Sequence, residues 1–369
     1  MRAEMIAHLG LLVAGLVSFV LMGAGQSLFG LALPAFARDF AIGTGQAGLL
    51  VSAQWVGAAL GVAAMFRFGD RLTPRMALAA MAAGAGVIAA GMGWWPTVAG
   101  AGMFGLGYGC STVIYNRRFL LVFGARGPSM LALLNAIFGA GAIGAPLVFV
   151  ALGSDPQLAY GVLAVLALAT LVVARAEATP ARAPEVGQGF RLRLPILAFG
   201  ALAIGTEACL IGLGPTGLIA RGVSETAAAA MLSGFFVAFL GARLALVPLA
   251  GRIAPFPMLA ACMAGAASFA TVIALGGPVW LFVAMGGFVA LFFPLFYMAG
   301  VAQMGHDPRV SPVMVAAGLV GGIVAPLVLG GIMGQVGAAV FFALVAVLVG
   351  GAAVLALLSM RGMARAAAA

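Results

Sequence analysis

Charge is the scarcest property of this chain: Asp, Glu, Lys and Arg together make up 7% of its 369 residues. Lysine is missing altogether, so all 18 basic residues are Arg, set against 9 acids. A soluble domain is about 25% charged and roughly 45–50% apolar, whereas this chain is 64% apolar. A water-exposed surface built from that composition would be mostly apolar, which excludes a soluble fold, a disordered chain and a disulfide scaffold. Cysteine is nearly as scarce. Cys110, Cys209 and Cys262 stand singly inside apolar runs with no CxxC spacing, as small core residues do. The sequence has no Walker loop, no HExxH and no GxSxG, which removes the signatures of an ATP-driven pump, a zinc hydrolase and a serine hydrolase. It is read as neither an enzyme nor a nucleic-acid binder, because the arginines are scattered rather than gathered in a patch.

What the chain has in abundance is long apolar runs. A bilayer-spanning helix needs about 20 such residues. Breaking the sequence at charged, Pro and polar clusters gives twelve segments, near 8–33, 44–66, 76–95, 97–123, 129–151, 157–174, 195–219, 225–249, 257–276, 278–304, 311–334 and 337–360. The first follows a short start without a clear cleavage site and is read as a spanning helix rather than a signal peptide. An even number of segments puts both termini on one side. With the termini inside, the inner connectors and tails hold Arg2, Arg67, Arg71, Arg75, Arg126, Arg175, Arg182, Arg191, Arg193, Arg252, Arg309, Arg361 and Arg365, and the outer ones hold Arg38 and Arg221. This asymmetry predicts cytoplasmic termini in the inner membrane.

The longest polar stretch, ARAEATPARAPEVGQGFRLR, lies midway and has no apolar face. It divides the chain into an N-terminal half (1–174), a cytoplasmic linker (175–194) and a C-terminal half (195–369). The halves repeat one another. FGAGAIGAPLV at 138–148 matches AGLVGGIVAPLV at 317–328, aligning Gly141 with Gly321, while GDR at 69–71 faces AGR at 250–252 and Tyr115 faces Tyr297. Three matches at nearly one offset point to two pseudo-symmetric six-helix bundles, an all-α transporter architecture with its solute site near the midplane.

Several motifs resemble the major facilitator superfamily. FRFGDRLTPRM keeps Asp70, Arg71 and Arg75 at the spacing of that family's signature between segments 2 and 3, with Phe66 and Thr73 where the signature has Gly. GYGCSTVIYN, LLNAIFGAGAIGAPL, the Gly205-x-Glu207 of IGTEACL and the Gly241/Arg243 of FLGARLAL are similar to the fucose permease-like branch. The resemblance implies a monomeric secondary transporter working by alternating access, without cofactor. It also implies that the Asp70–Arg71–Arg75 cluster is a latch broken when the inner side opens, set against a purely topological role. That branch places acids in segments 1 and 4, and this chain has Gln26, Ser27 and Asn116 there instead. The fold carries over on this resemblance; the sugar specificity does not come with it.

Four charges lie inside spanning segments: Glu207, Arg117, Arg118 and Arg243. Each costs roughly 2.5–3.5 kcal/mol to insert, so each raises a functional question. Glu207, about twelve residues into segment 7, is the group expected to carry a proton, with a structural pair to Arg243 as the other reading. Arg243, late in segment 8, is open to two readings, an inner gate or a side chain that snorkels toward the cytoplasm. Arg117 and Arg118 differ by about 100° around one helix and cannot share a cavity; Arg117 is favoured to face the solute. Solute contacts are expected from Gln26, Gln54, Trp55, Tyr115, Asn116, Asn135 and Tyr297, as directional polar or aromatic groups in an apolar pocket. Helix–helix hydrogen bonding is the alternative role for each. The solute itself stays open between sugar-like molecules and small organic anions. Alternatives are efflux of amphipathic compounds, copper import through groups such as Met258, Cys262 and Met263, and a non-transporting sensor or assembly factor.

Overall fold

The structure, a computed structural model, describes residues 9–69, 71–174, 192–249, 252–305, 307 and 309–368, without the side chains of 44, 125, 128 and 361–368. Asp70, His8, His306, Arg2, Arg175, Arg182, Arg191 and most of the expected linker (175–191) lie outside the described residues, as do the side chains of Arg361 and Arg365.

All regular structure among the described residues is helical. The first unit, Met1–Ala183, contains α1 (Leu9–Asp39), α2 (Ala47–Phe68), α3 (Pro74–Ala89), α4 (Trp94–Phe123), α5 (Gly127–Ala151) and α6 (Pro156–Thr170). The second, Pro184–Ala369, contains α7 (Leu194–Gly212), α8 (Gly214–Ile219), α9 (Glu225–Leu246), α10 (Pro255–Ala274), α11 (Leu281–Val289), α12 (Phe292–Met304), α13 (Val310–Val336) and α14 (Phe341–Ala368). Ten spans are long and apolar enough to cross a membrane, counting Leu281–Met304 as one, and α3 and α6 are shorter apolar helices. The chain is a multi-pass membrane protein.

Local chemistry sets the helix starts. Thr73, Asp155 and Ser224 each accept a hydrogen bond from a backbone N–H of the first turn, at 3.3, 3.1 and 3.2 Å. Such caps are worth about 1 kcal/mol each. Pro74 and Pro156 follow directly, where a missing N–H costs nothing. Thr73, which departs from the signature glycine, therefore has a use here. The third segment differs from the expected 76–95: α3 stops at Ala89, and Gly91 and Gly93 at φ 60° and 116° turn the chain so that Trp94 and Trp95 open α4. Two segments are broken. Segment 7 is α7 and α8, divided at Leu213 before Gly214-Pro215, and segment 10 is α11 and α12, divided at Ala290–Leu291. Pro146 and Pro326, in contrast, sit within continuous helices.

Within each unit the packing order is the same. α1 packs on α5, α2 on α4 and α3 on α6; correspondingly α7 packs on α13, α9 on α11 and α10 on α14. The closest approaches recur at matching residues. Gly141 of α5 lies against the Val20 carbonyl of α1, and Gly321 of α13 against the Ala201 carbonyl of α7; a Cβ at either position would overlap that oxygen. Gly105 and Gly109 of α4 likewise lie on the Gln54 and Ala58 carbonyls of α2. In lipid, which supplies no hydrophobic drive between helices, such contacts hold helices together by dispersion over a large shared area.

Candidate functional site

Glu207 lies thirteen residues into α7, a rise of roughly 20 Å. Gly205, half a turn earlier, is what lets α13 close over this stretch: a Cβ there would stand 2.8 Å from the Ala325 Cβ and 2.9 Å from the Gly321 oxygen. The Glu207 side chain is 8% exposed, and its Oε2 has no hydrogen-bond partner among the described atoms. Arg243 of α9 acts on it electrostatically.

Arg243 does not run toward the near end of α9. Its guanidinium lies 4.4 Å over the ring of Phe239, four residues back and therefore one turn deeper, and its Nε donates to the Ala290 carbonyl at 3.1 Å. The guanidinium is thus directed toward the break of segment 10 rather than along α9 to its end. Ala290 sits at the break of segment 10, and the residue four positions on, whose amide would ordinarily bond to it, is Pro294.

In the first unit, Gln26 of α1 is buried and its Oε1 accepts a hydrogen bond from the Tyr108 hydroxyl of α4 at 3.2 Å. The Tyr108 ring meets Phe138 of α5 edge-on, with centroids 6.5 Å apart. Three helices thus contribute an amide, a phenol and a ring. Tyr108 is missing from the residues singled out by sequence. Its only signal there is a phenol within a Gly-rich stretch of segment 4, and its partner is 82 residues away.

The other expected solute residues disperse. Tyr115 is fully buried against α1, beside Ser18 and under Gly15, as a packing residue. Asn116 and Arg117 are half-buried, and Arg118 is the more buried arginine of the pair at 9% exposure. Gln54 is buried on the α4 side of α2, while Trp55 is half-buried. Asn135 is exposed and donates to the carbonyl of Leu131 in its own helix. Tyr297 is half-buried against the Phe293 ring.

At the connector of segments 2 and 3, Arg71 is exposed and Arg75 donates from Nε to the Ala174 carbonyl at 2.6 Å. That oxygen belongs to the turn closing segment 6, where helix-end carbonyls lack partners. Asp70, the acid of the expected latch, lies outside the described residues. The connector before α13 carries a clamp that sequence reading missed. Asp307 accepts from the backbone N–H of Arg309 at 2.9 Å and, through both oxygens, from its guanidinium at 2.9 and 3.0 Å. The Arg309 hydrogen bonds hold the Asp307 carboxyl below its ordinary range.

Among the described residues no three His, Cys, Asp or Glu side chains converge on one point. The cysteines are free and buried, and of the Met258–Cys262–Met263 group Met258 is exposed while the other two are buried.

No protein-family model matches the chain, and no curated protein sequence matches it. Solved structures do. The nucleoside transporter NupG is 14% identical with a TM-score of 0.73, over 98% of this chain and 99% of its own. A bacterial homologue of the human lysosomal transporter Spinster, inward-facing and occupied, is 13% identical with a TM-score of 0.71, over 95% and 96%. The major facilitator superfamily transporter FucP, in the outward conformation, is 20% identical with a TM-score of 0.57, over 92% and 98%. At these identities what is shared is the fold, and the chain has the twelve-segment fold of the major facilitator superfamily.

Proposed function

We propose that this protein is a secondary transporter of the inner membrane that moves a small polar, sugar-like solute by alternating access, with Glu207 carrying the coupled proton. The observation that carries this reading is the Glu207 carboxyl: 8% exposed, with one oxygen unpartnered, deep in an apolar helix. Leaving a buried polar atom unpaired costs on the order of 1–3 kcal/mol, and a carboxyl that takes up a proton sheds much of the cost of its charge. Fold neighbours described as a nucleoside transporter and a fucose:proton symporter support the transport of neutral, hydroxyl-bearing rings. The Gln26–Tyr108–Phe138 group suits such a solute, offering an amide and a phenol beside a ring face. A small organic anion is the second reading, favoured by the burial of Arg118. The halves 1–174 and 195–369, joined by a cytoplasmic linker, would be the moving parts.

The test is uptake of a panel of sugars, nucleosides and small carboxylates into proteoliposomes under an imposed pH gradient. Concentrative uptake that follows the gradient, and is abolished in Glu207→Gln while solute exchange continues, is the expected result. Uptake indifferent to the gradient, or full concentrative activity in Glu207→Gln, removes proton coupling through this residue.

A further inference from the structure

A helix carbonyl four residues before a proline has no amide to receive. Ala290 is such a carbonyl, at a place where segment 10 is already divided into α11 and α12. The donor it has instead comes from another helix, Arg243 Nε at 3.1 Å. The guanidinium is steadied by the Phe239 ring beneath it, and its charge acts on Glu207. The cation that fills the break thus also lies within electrostatic reach of the buried acid.

We propose that Arg243 is a positioning residue that fastens the bend of segment 10 by standing in for the amide that Pro294 lacks, and that the charge on Glu207 sets how firmly it holds. This rests on the reading of Glu207 as the proton-carrying group. When Glu207 is ionised it draws the guanidinium away from the carbonyl; when it is protonated, Arg243 stays on Ala290 and the bend is held. Few other charges intervene. Of the elements packed against α7 and α9, α8, α11, α13 and the described side chains of α14 carry no charged residue, and α12 contributes only the Tyr297 phenol. Glu225 stands at the opposite end of α9, eighteen residues from Arg243 and roughly 27 Å along the helix. Protonation would thus reach the backbone of a second helix through one side chain, with the carbonyl and the carboxylate as alternative acceptors.

The experiment is a spin-label distance measurement on the full chain in nanodiscs, with labels at Trp280→Cys and Gln303→Cys, both exposed positions at the ends of segment 10. Cys110, Cys209 and Cys262 are replaced by Ala. Arg243→Gln should broaden the distance distribution, and Glu207→Gln should narrow it. Pro294→Ala, which restores the amide, should shift the distance toward the roughly 34 Å of an uninterrupted 23-residue rise. In the Pro294→Ala background the Arg243→Gln effect should vanish, and in the Arg243→Gln background the Glu207→Gln effect should vanish. The proposal is overturned if Arg243→Gln leaves the distribution unchanged, or if its effect persists undiminished with Pro294→Ala. Should Arg243→Gln not fold alone, recovery of folded protein by Pro294→Ala supports the proposal and failure to recover it overturns it. Because the readout is a distance, wild-type uptake that ignores the pH gradient in the transport assay would sink the coupling reading separately.

Discussion

Polar side chains in these helices divide by where their partners lie. Ser18, Thr97, Thr112, Asn135 and Thr206 donate to the carbonyl one turn back in their own helices. That use is open to any Ser, Thr or Asn in an apolar run and specifies no tertiary neighbour. Gln26–Tyr108, Arg75–Ala174 and Arg243–Ala290 join residues 82, 99 and 47 positions apart. Sequence flagged Gln26 and Arg243 because polarity is costly in lipid, yet it could not name their partners, since neither Tyr108 nor the Ala290 carbonyl is conspicuous along the chain. Tyr108→Phe should lower stability by about 0.5–1.5 kcal/mol, read as a drop in melting temperature in detergent. Adding Gln26→Leu should then cost less than it does in the wild-type chain. A second prediction concerns Asp307, whose pairing with Arg309 holds its carboxyl below the ordinary range. The stabilisation from this pair is present above the unfolded carboxyl value, near 4, and is lost as pH falls through the lowered one. Asp307→Asn should therefore melt below the wild type at neutral pH, and the gap should close on acidification past that lowered value. A gap that stays constant would remove the ionised carboxylate from the Asp307–Arg309 clamp.

Helix existence was largely legible, because twelve apolar runs have no other place than a bilayer. Helix integrity was not. Segments 7 and 10 look continuous by composition but are divided, at Leu213 before Gly214-Pro215 in one and at Ala290–Leu291 before Pro294 in the other. Pro146 and Pro326, by contrast, stay inside unbroken helices, so a proline alone does not foretell a break. The interhelical seams follow the small residues. Gly141→Val and Gly321→Val should each cost at least the 1–3 kcal/mol typical of overpacking, because the added Cβ meets a backbone oxygen that cannot swing away. Gly144→Ala, where a Cβ meets nothing within 4 Å, is the neutral control. Yield of monodisperse protein on size exclusion would check the three together.

At the scale of the molecule, the arginine asymmetry predicts the orientation, and Arg221 is one of its two exceptions. This residue has a different role in the structure. Its guanidinium donates to the Ala274 carbonyl at the end of α10, at 3.3 Å, and to the Ala339 carbonyl at 3.5 Å. An arginine that ties the end of α10 to the turn between α13 and α14 has a reason to be there that owes nothing to topology. Arg221→Ala should reduce thermal stability and leave the orientation unchanged, so that a fluorescent protein fused to the C-terminus keeps the fluorescence it has in the wild type.

Sequence alone determined that the chain is a multi-pass membrane protein, through its composition and the length of its apolar runs, and its internal matches predicted two related halves. These follow from the cost of exposing polar backbone and charge to lipid, which constrains every residue in a segment at once. The depth of Glu207 came from the same counting. Only the tertiary structure decided which polar groups meet. Whether Arg243 turned outward to water or inward to a proline-orphaned carbonyl depended on a helix 47 positions away, and no property of its own segment could distinguish the two. The scarcity of charge told where to look, and the packing of α9 against α11 told what that charge holds.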